Sequence, residues 1–164
     1  MAVLPILTGD HPLLRRQAKK VGKVDRSIQT LLDDMLETMR VAPGIGLAAN
    51  QVGRLLRLIS IEVEDTAYQL VNPELTSSEG EVIIEEGCLS LPGYYADVQR
   101  AAKVSVKALT RNGKPIKINA DGMLARVLQH EIDHLNGVLF IDHLKNLSEL
   151  RYVSPEEEPA ELKV

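Results

Sequence analysis

The chain has 164 residues, 45% hydrophobic and 26% charged, which suits one globular domain around one sizeable core. Nineteen Lys and Arg against twenty-three Asp and Glu give a net charge of −4, no footing for specific nucleic-acid binding. A single cysteine excludes internal disulfides and fits a reducing, cytoplasmic setting, no N-terminal pattern resembles a secretory signal, and no apolar run is long enough to cross a membrane.

Taken in order, Asp10-His11-Pro12 reads as a cap and first turn ahead of a short basic segment over 13–20, which makes His11 a turn residue. Asp25 then caps a helix whose stripe is Ile28, Leu31, Leu32, Met35, Leu36 and Met39, with the methionines as core filler. Ala42-Pro43-Gly44 ends it. Gly44-Ile45-Gly46-Leu47-Ala48-Ala49-Asn50-Gln51 follows. It lacks the Lys-Ser/Thr ending of a phosphate loop and the three glycines of a dinucleotide turn. By its own residues it is a loop where backbone can approach a ligand closely, with the Gln51 amide at its end.

Strands are predicted over 57–63, 68–71, 81–85 and 103–109, the last joined through Asn112-Gly113 to a strand over 115–119, a hairpin signal. Between the strands lies Glu86-Gly87-Cys88-Leu89-Ser90, then Leu91-Pro92. Strands and helices that do not alternate regularly predict an α+β fold. Residues 154–164 hold Pro155-Glu156-Glu157-Glu158-Pro159 and read as a short acidic, solvated tail, leaving 1–153 as a single domain.

The sharpest chemical signal is His130-Glu131-Ile132-Asp133-His134. Residues four apart share a helix face, so both imidazoles can reach one metal ion, and the intervening Glu can act as base toward water on that ion. Leu124, Val127, Leu128 and Leu135 recur at helical spacing, and Gly137 offers a stop. Glu131 falls inside that apolar stripe, where a carboxylate costs several kcal/mol unless paired, metal-bound or protonated. The plainer alternative is an amphipathic helix with two surface histidines.

A catalytic site wants a third protein ligand and an open position. Phe140 stands where a metzincin has its third His. Glu156 to Glu158 lie at a gluzincin-like distance, but in the acidic tail, and His143 reads as surface or strand end. Cys88 remains; a thiolate suits zinc or ferrous iron, although a cysteine taken alone reads better as a small buried apolar residue.

Three segments in order, Gly44-Ile45-Gly46-Leu47-Ala48-Ala49-Asn50-Gln51, Glu86-Gly87-Cys88-Leu89-Ser90 and Gln129-His130-Glu131-Ile132-Asp133-His134-Leu135, resemble the motifs of the peptide deformylase family. The resemblance spans residues 3–147. It implies an α+β fold with antiparallel β-sheets packed around the central His helix, and an enzyme that removes the N-formyl group from the first methionine of new polypeptides. Cys88, His130 and His134 would hold one divalent metal: ferrous iron by family preference, with zinc, nickel or cobalt as possible occupants. Glu131 would be the general acid/base, and Gln51 with the Leu89 backbone N–H the oxyanion donors, each worth ~3 kcal/mol. Ile45, Gly46, Leu47, Glu86 and Gly87 would contact substrate.

The expected chemistry is attack of metal-bound hydroxide on the formyl carbon, the metal having lowered the pKa of its water toward ~7. Glu131 takes the proton and passes it to the leaving amine. Gly46 leaves room for formyl and not acetyl, and Ile45, Ile84, Leu124 and Val127 are candidates for a methionine pocket. Asp133 is either a solvated helix residue or an ion-pair partner of Arg100. Two features depart from the family. Gly93-Tyr94-Tyr95 replaces a basic peptide contact, and the acidic tail replaces a basic ribosome-docking helix. The expected partners are therefore formyl-methionyl nascent chains, with transient ribosome proximity only and no membrane. The alternatives are an H-E-x-x-H peptidase cleaving peptide bonds and a non-catalytic binder of N-terminal peptides.

Overall fold

The computed structural model describes residues 1–154 and 156. Its frame is a five-stranded antiparallel sheet in the order β1 (Gly46–Ala48), β2 (Leu58–Val63), β3 (Thr66–Glu79), β6 (Lys103–Leu109) and β7 (Pro115–Asp121). A smaller antiparallel sheet joins β4 (Val82–Cys88), β5 (Leu91–Arg100) and the two-residue β8 (Arg151–Tyr152).

Two helices cover the large sheet. In α1 (Arg26–Val41), the Asp25 side chain caps the first turn by accepting from the Ile28 N–H at 3.1 Å. In α2 (Gly122–Leu135), the apolar stripe Ala125, Val127, Leu128, Ile132 and Leu135 is buried. Alternation along β2 decides which helix meets which face. Leu58 belongs to the cluster with Leu32, Met35 and Met39 of α1, and Ser60 donates to the Leu32 carbonyl at 3.2 Å. Ile59 and Ile61 instead join Val127, Leu128 and Leu135 of α2. A third cluster of Cys88, Ala96, Val98 and the single Phe140 forms beside the small sheet. The α+β expectation of antiparallel sheets around the H-E-x-x-H helix holds.

β3 outruns its predicted length and β5 was not predicted, each for an identifiable reason. The strand expected over 68–71 continues as β3 to Glu79. Asn72 takes a left-handed φ of 52° that bends the strand, and its amide bonds both backbone groups of Val21, at 2.8 and 2.9 Å. The strand β5 was not foreseen; it carries Pro92 and Gly93 near its start, residues depleted in strand interiors. Gly93 adopts φ 84°, and a side chain there would strike the Tyr152 ring at 2.7 Å. The basic segment near 13–20 contains only a 3-10 turn, Pro12–Arg15, with His11 capping it by accepting from the Leu13 N–H at 3.2 Å. The predicted acidic tail falls almost wholly outside the described residues. Among those described, no helix is long and apolar enough to cross a membrane.

Candidate metal centre

Three elements converge on one buried point. The helix α2 carries His130 and His134 one turn apart, both buried. The strand β4 ends on Cys88, whose Cα partner is Leu91, so Leu89-Ser90 forms a two-residue turn just beyond the sulfur. The segment expected to be a loop is in fact the edge strand β1, leading into the 3-10 turn Ala49–Val52 that carries Gln51. Its register against β2, Gly46 to Ile61 and Ala48 to Ile59, fixes it beside α2.

The Cys88 Sγ lies 3.3 Å from His134 Nε2, which lies 3.2 Å from His130 Nε2. All three donor atoms fall within 4.8 Å of one another. Bonds of about 2.1 Å to nitrogen and about 2.3 Å to sulfur, at tetrahedral angles, put neighbouring donors about 3.4–3.6 Å apart. The observed spacing is therefore that of atoms turned toward one cation. The donor set fits zinc or ferrous iron.

The electrostatics point the same way. Burial pushes His134 far below its ordinary pKa and His130 below it too, so both rings are neutral, the form that ligates. Burial, then the nearby Glu131 carboxylate, push the Cys88 thiol well above its ordinary value, against the Ser90 and Leu91 N–H groups that hold it down. A cation at the junction would reverse that shift, since a coordinated thiol ionises.

Glu131 is fully buried, and among the described residues neither of its oxygens has a hydrogen-bond partner. Burial, reinforced by the charge of Glu86, raises its pKa well above the ordinary value. An unpartnered buried carboxyl beside a ligand cluster is what a base waiting on water looks like. Gly46 permits this placement. A Cβ there would lie 2.5 Å from Glu131 Oε2 and 2.8 Å from Val127 Cγ1. Gln51 is held in one orientation, its Oε1 accepting from the Ala48 N–H at 2.9 Å. Its amide nitrogen donates to Ser90 Oγ at 3.0 Å and lies 3.7 Å from Cys88 Sγ.

Glu86 and Gly87, expected at the substrate, have these neighbours in the folded chain. Glu86 Oε1 sits 2.8 Å from His130 Nδ1, while Arg100 Nε and Nη2 donate to its two oxygens at 2.8 and 2.9 Å. Burial alone would raise Glu86, but these hydrogen bonds and charges hold it far below its ordinary value. Because that carboxylate is ionised, His130 carries its proton on Nδ1 and turns Nε2 toward the cluster. Gly87 packs against Tyr95, where a Cβ would come within 2.6 Å of the ring. Of the proposed methionine pocket, Ile45 and Val127 belong to the buried core, with Leu124 packed against it. Asp133 does pair with Arg100, at 2.6 Å. Phe140, rejected as a ligand position, stacks near His130 with ring centroids 6.3 Å apart. Ser90, which accepts from Gln51, and the link from Arg100 to Glu86 were not foreseen; the sequence reading had offered Arg100 only as a partner of Asp133.

A model of the polypeptide deformylase family matches residues 3–149. The chain belongs to the polypeptide deformylase family. A peptide deformylase from Dehalococcoides mccartyi strain CBDB1 is 47% identical over 163 residues, covering 98% of each chain. One from Symbiobacterium thermophilum is 51% identical over 165 residues, covering 99% of this chain and 76% of its own. Among solved structures, a peptide deformylase from Legionella pneumophila superposes with a TM-score of 0.87 at 51% identity, covering 90% of this chain and 89% of that one. A second, from Ehrlichia chaffeensis in complex with actinonin, gives 0.88 at 40% identity over 91% and 92%. As a deformylase-family member the chain is a hydrolase, and its Cys-His-His cluster is a possible metal site.

Proposed function

We propose that this deformylase removes the formyl group from the N-terminal methionine of new polypeptides at the junction of Cys88, His130 and His134, with Glu131 as the proton carrier. The observation that carries this is the unpartnered, buried Glu131 carboxyl beside three convergent ligand atoms. Cys88, His130 and His134 would hold the ion, which when bound supplies Lewis acidity and activates water. Glu131 would take a proton from the attacking water as the water oxygen bonds to the formyl carbon, and would deliver it to the departing amine nitrogen as the formyl C–N bond breaks, leaving formate and a free amine. The missing side chain at Gly46 leaves the room that the Glu131 carboxyl occupies.

The Gln51 amide and the Leu89 backbone N–H are the donors assigned to the formyl oxygen, where charge grows. Gln51 is already oriented by Ala48, so it need not reorganise during the reaction. Ile45, Gly46 and Leu47, on and beside the edge strand β1, are assigned to the substrate backbone. The nascent formyl-methionyl chain is the substrate, the cytoplasm is the setting, and ferrous iron is the assigned ion. The acidic composition of residues 156–158 supports transient contact with the ribosome rather than docking.

The test is anaerobic hydrolysis of a formyl-Met-Ala-Ser peptide with metal analysis of the same sample. Turnover should track one equivalent of metal and exceed that of a zinc-loaded sample. Cys88→Ser should release the ion and abolish turnover. An enzyme that tolerates Cys88→Ser and cleaves internal peptide bonds would favour the peptidase alternative.

A further inference from the structure

A chain of contacts leads from the metal centre to the surface, and its outer end has no part in the reaction as described. His130 Nδ1 meets Glu86, Glu86 takes a two-pronged hydrogen bond from Arg100, and Arg100 Nη1 donates to Asp133 Oδ2 at 2.6 Å. His143 Nε2 meets that same Asp133 oxygen at 2.8 Å. Exposure grows along the line: the Glu86 side chain is 0% exposed, Arg100 3%, Asp133 25% and His143 35%.

We infer that His143 is a positioning residue for the metal centre, acting through Asp133, Arg100 and Glu86 on His130. The inference rests on the metal assignment made above. His143 comes from the 3-10 turn Phe140–His143, a separate element from the helix that carries Asp133. Its ring tautomer follows from its neighbours. The ring nitrogen faces a carboxylate oxygen at 2.8 Å and a guanidinium nitrogen at 3.4 Å. A lone pair on that nitrogen would oppose the Asp133 lone pairs at the shorter distance, so Nε2 carries the hydrogen and donates to Asp133.

The consequence is mechanical. Asp133 stands on the outer side of α2, where a carboxylate held by one donor can rotate toward water. Two donors from two different elements, Arg100 on β5 and His143 on the turn, fix the same oxygen. Asp133 in turn holds the third prong of Arg100, whose other two set the plane of Glu86. Glu86 fixes both the tautomer and the ring direction of His130, the property on which metal affinity depends.

The experiment is Zn²⁺ affinity, measured by competition with a chromogenic chelator, for wild type, His143→Ala and His143→Gln. Gln places an amide N–H near the position of Nε2, so it keeps the donor without the ring. Replacing a group that touches a ligand directly costs about 10- to 100-fold in metal affinity. Three contacts further out, His143→Ala should weaken Zn²⁺ by about 3- to 10-fold. His143→Gln should stay within about twofold of wild type, KM for formyl peptide should not move, and the metal-free proteins should melt together. Unchanged Zn²⁺ affinity in His143→Ala, or an equal loss in His143→Gln, would overturn the inference. Wild-type protein that takes up no Zn²⁺ would overturn the metal centre beneath it.

Discussion

Replacing Gly46 by alanine tests the site by a single methyl group. The added Cβ would sit 2.5 Å from Glu131 Oε2, 2.9 Å from its Cδ and 2.8 Å from Val127 Cγ1, whereas ordinary contact begins at 3.4 Å. Restoring contact from 2.5 to 3.4 Å moves the carboxylate by about 0.9 Å. Val127 is β-branched on a helix and gives way poorly, so the Glu131 end, the softer partner, moves more. Overpacking of this kind costs about 1–3 kcal/mol, near the low end where a flexible side chain absorbs it. At about 2–4 °C per kcal/mol for a domain of this size, the melting midpoint should drop by about 2–6 °C. Activity should suffer far more, since displacing a catalytic group by about 1 Å can cost about 100-fold. The assay is kcat/KM on a formyl-Met peptide beside metal content and a thermal melt. The expected pattern is full metal, a small thermal loss and about 100-fold lower kcat/KM. Wild-type turnover in Gly46→Ala would refute the assignment of Glu131 as proton carrier held by this glycine.

Glu131→Gln should keep its metal and lose about 10²- to 10⁴-fold in turnover, read by hydrolysis with metal analysis. In the metal-free protein, buried Glu131 keeps a proton that the unfolded chain releases near 4.5, so its contribution to stability falls as pH rises above that value. Denaturant titrations from pH 4 to 8 should show that fall in metal-free wild type and a flatter profile in Glu131→Gln. Glu86 has the opposite sign. Its depressed pKa contributes stability present above the ordinary value of 4.5 and lost as pH falls below it. Glu86→Gln should therefore be destabilised at pH 7, shallower in acid unfolding and weaker in metal binding, measured by urea melts and chelator competition. Asn72→Ala removes both hydrogen bonds to Val21 and leaves a left-handed φ, at a cost of about 2–4 kcal/mol in thermal or urea unfolding, with Zn²⁺ affinity unchanged.

Much of this molecule was legible before folding because its signals are local. The stripe of α1, the cap at Asp25 and the spacing of His130 and His134 depend on helical period alone. The Asn112-Gly113 turn needed only a residue at ease with φ 77°. Gly46, Cys88 and Glu131 could be linked to one another only through the family resemblance, because no period in the chain relates a β-edge glycine, a strand-end thiol and a helix carboxyl.

The tertiary structure decided which atoms share one volume, and so which partners each site residue meets. Packing brings Arg100 and His130 onto the Glu86 carboxylate, where an ionised group is tolerated only when so paired. No strand was expected over residues 91–100, yet pairing with β4, and of Tyr94 and Tyr95 with β8, holds β5 extended. Local propensity describes what a segment does alone. The fate of a buried charge or an edge strand depends on partners far along the chain, and here those partners set the site.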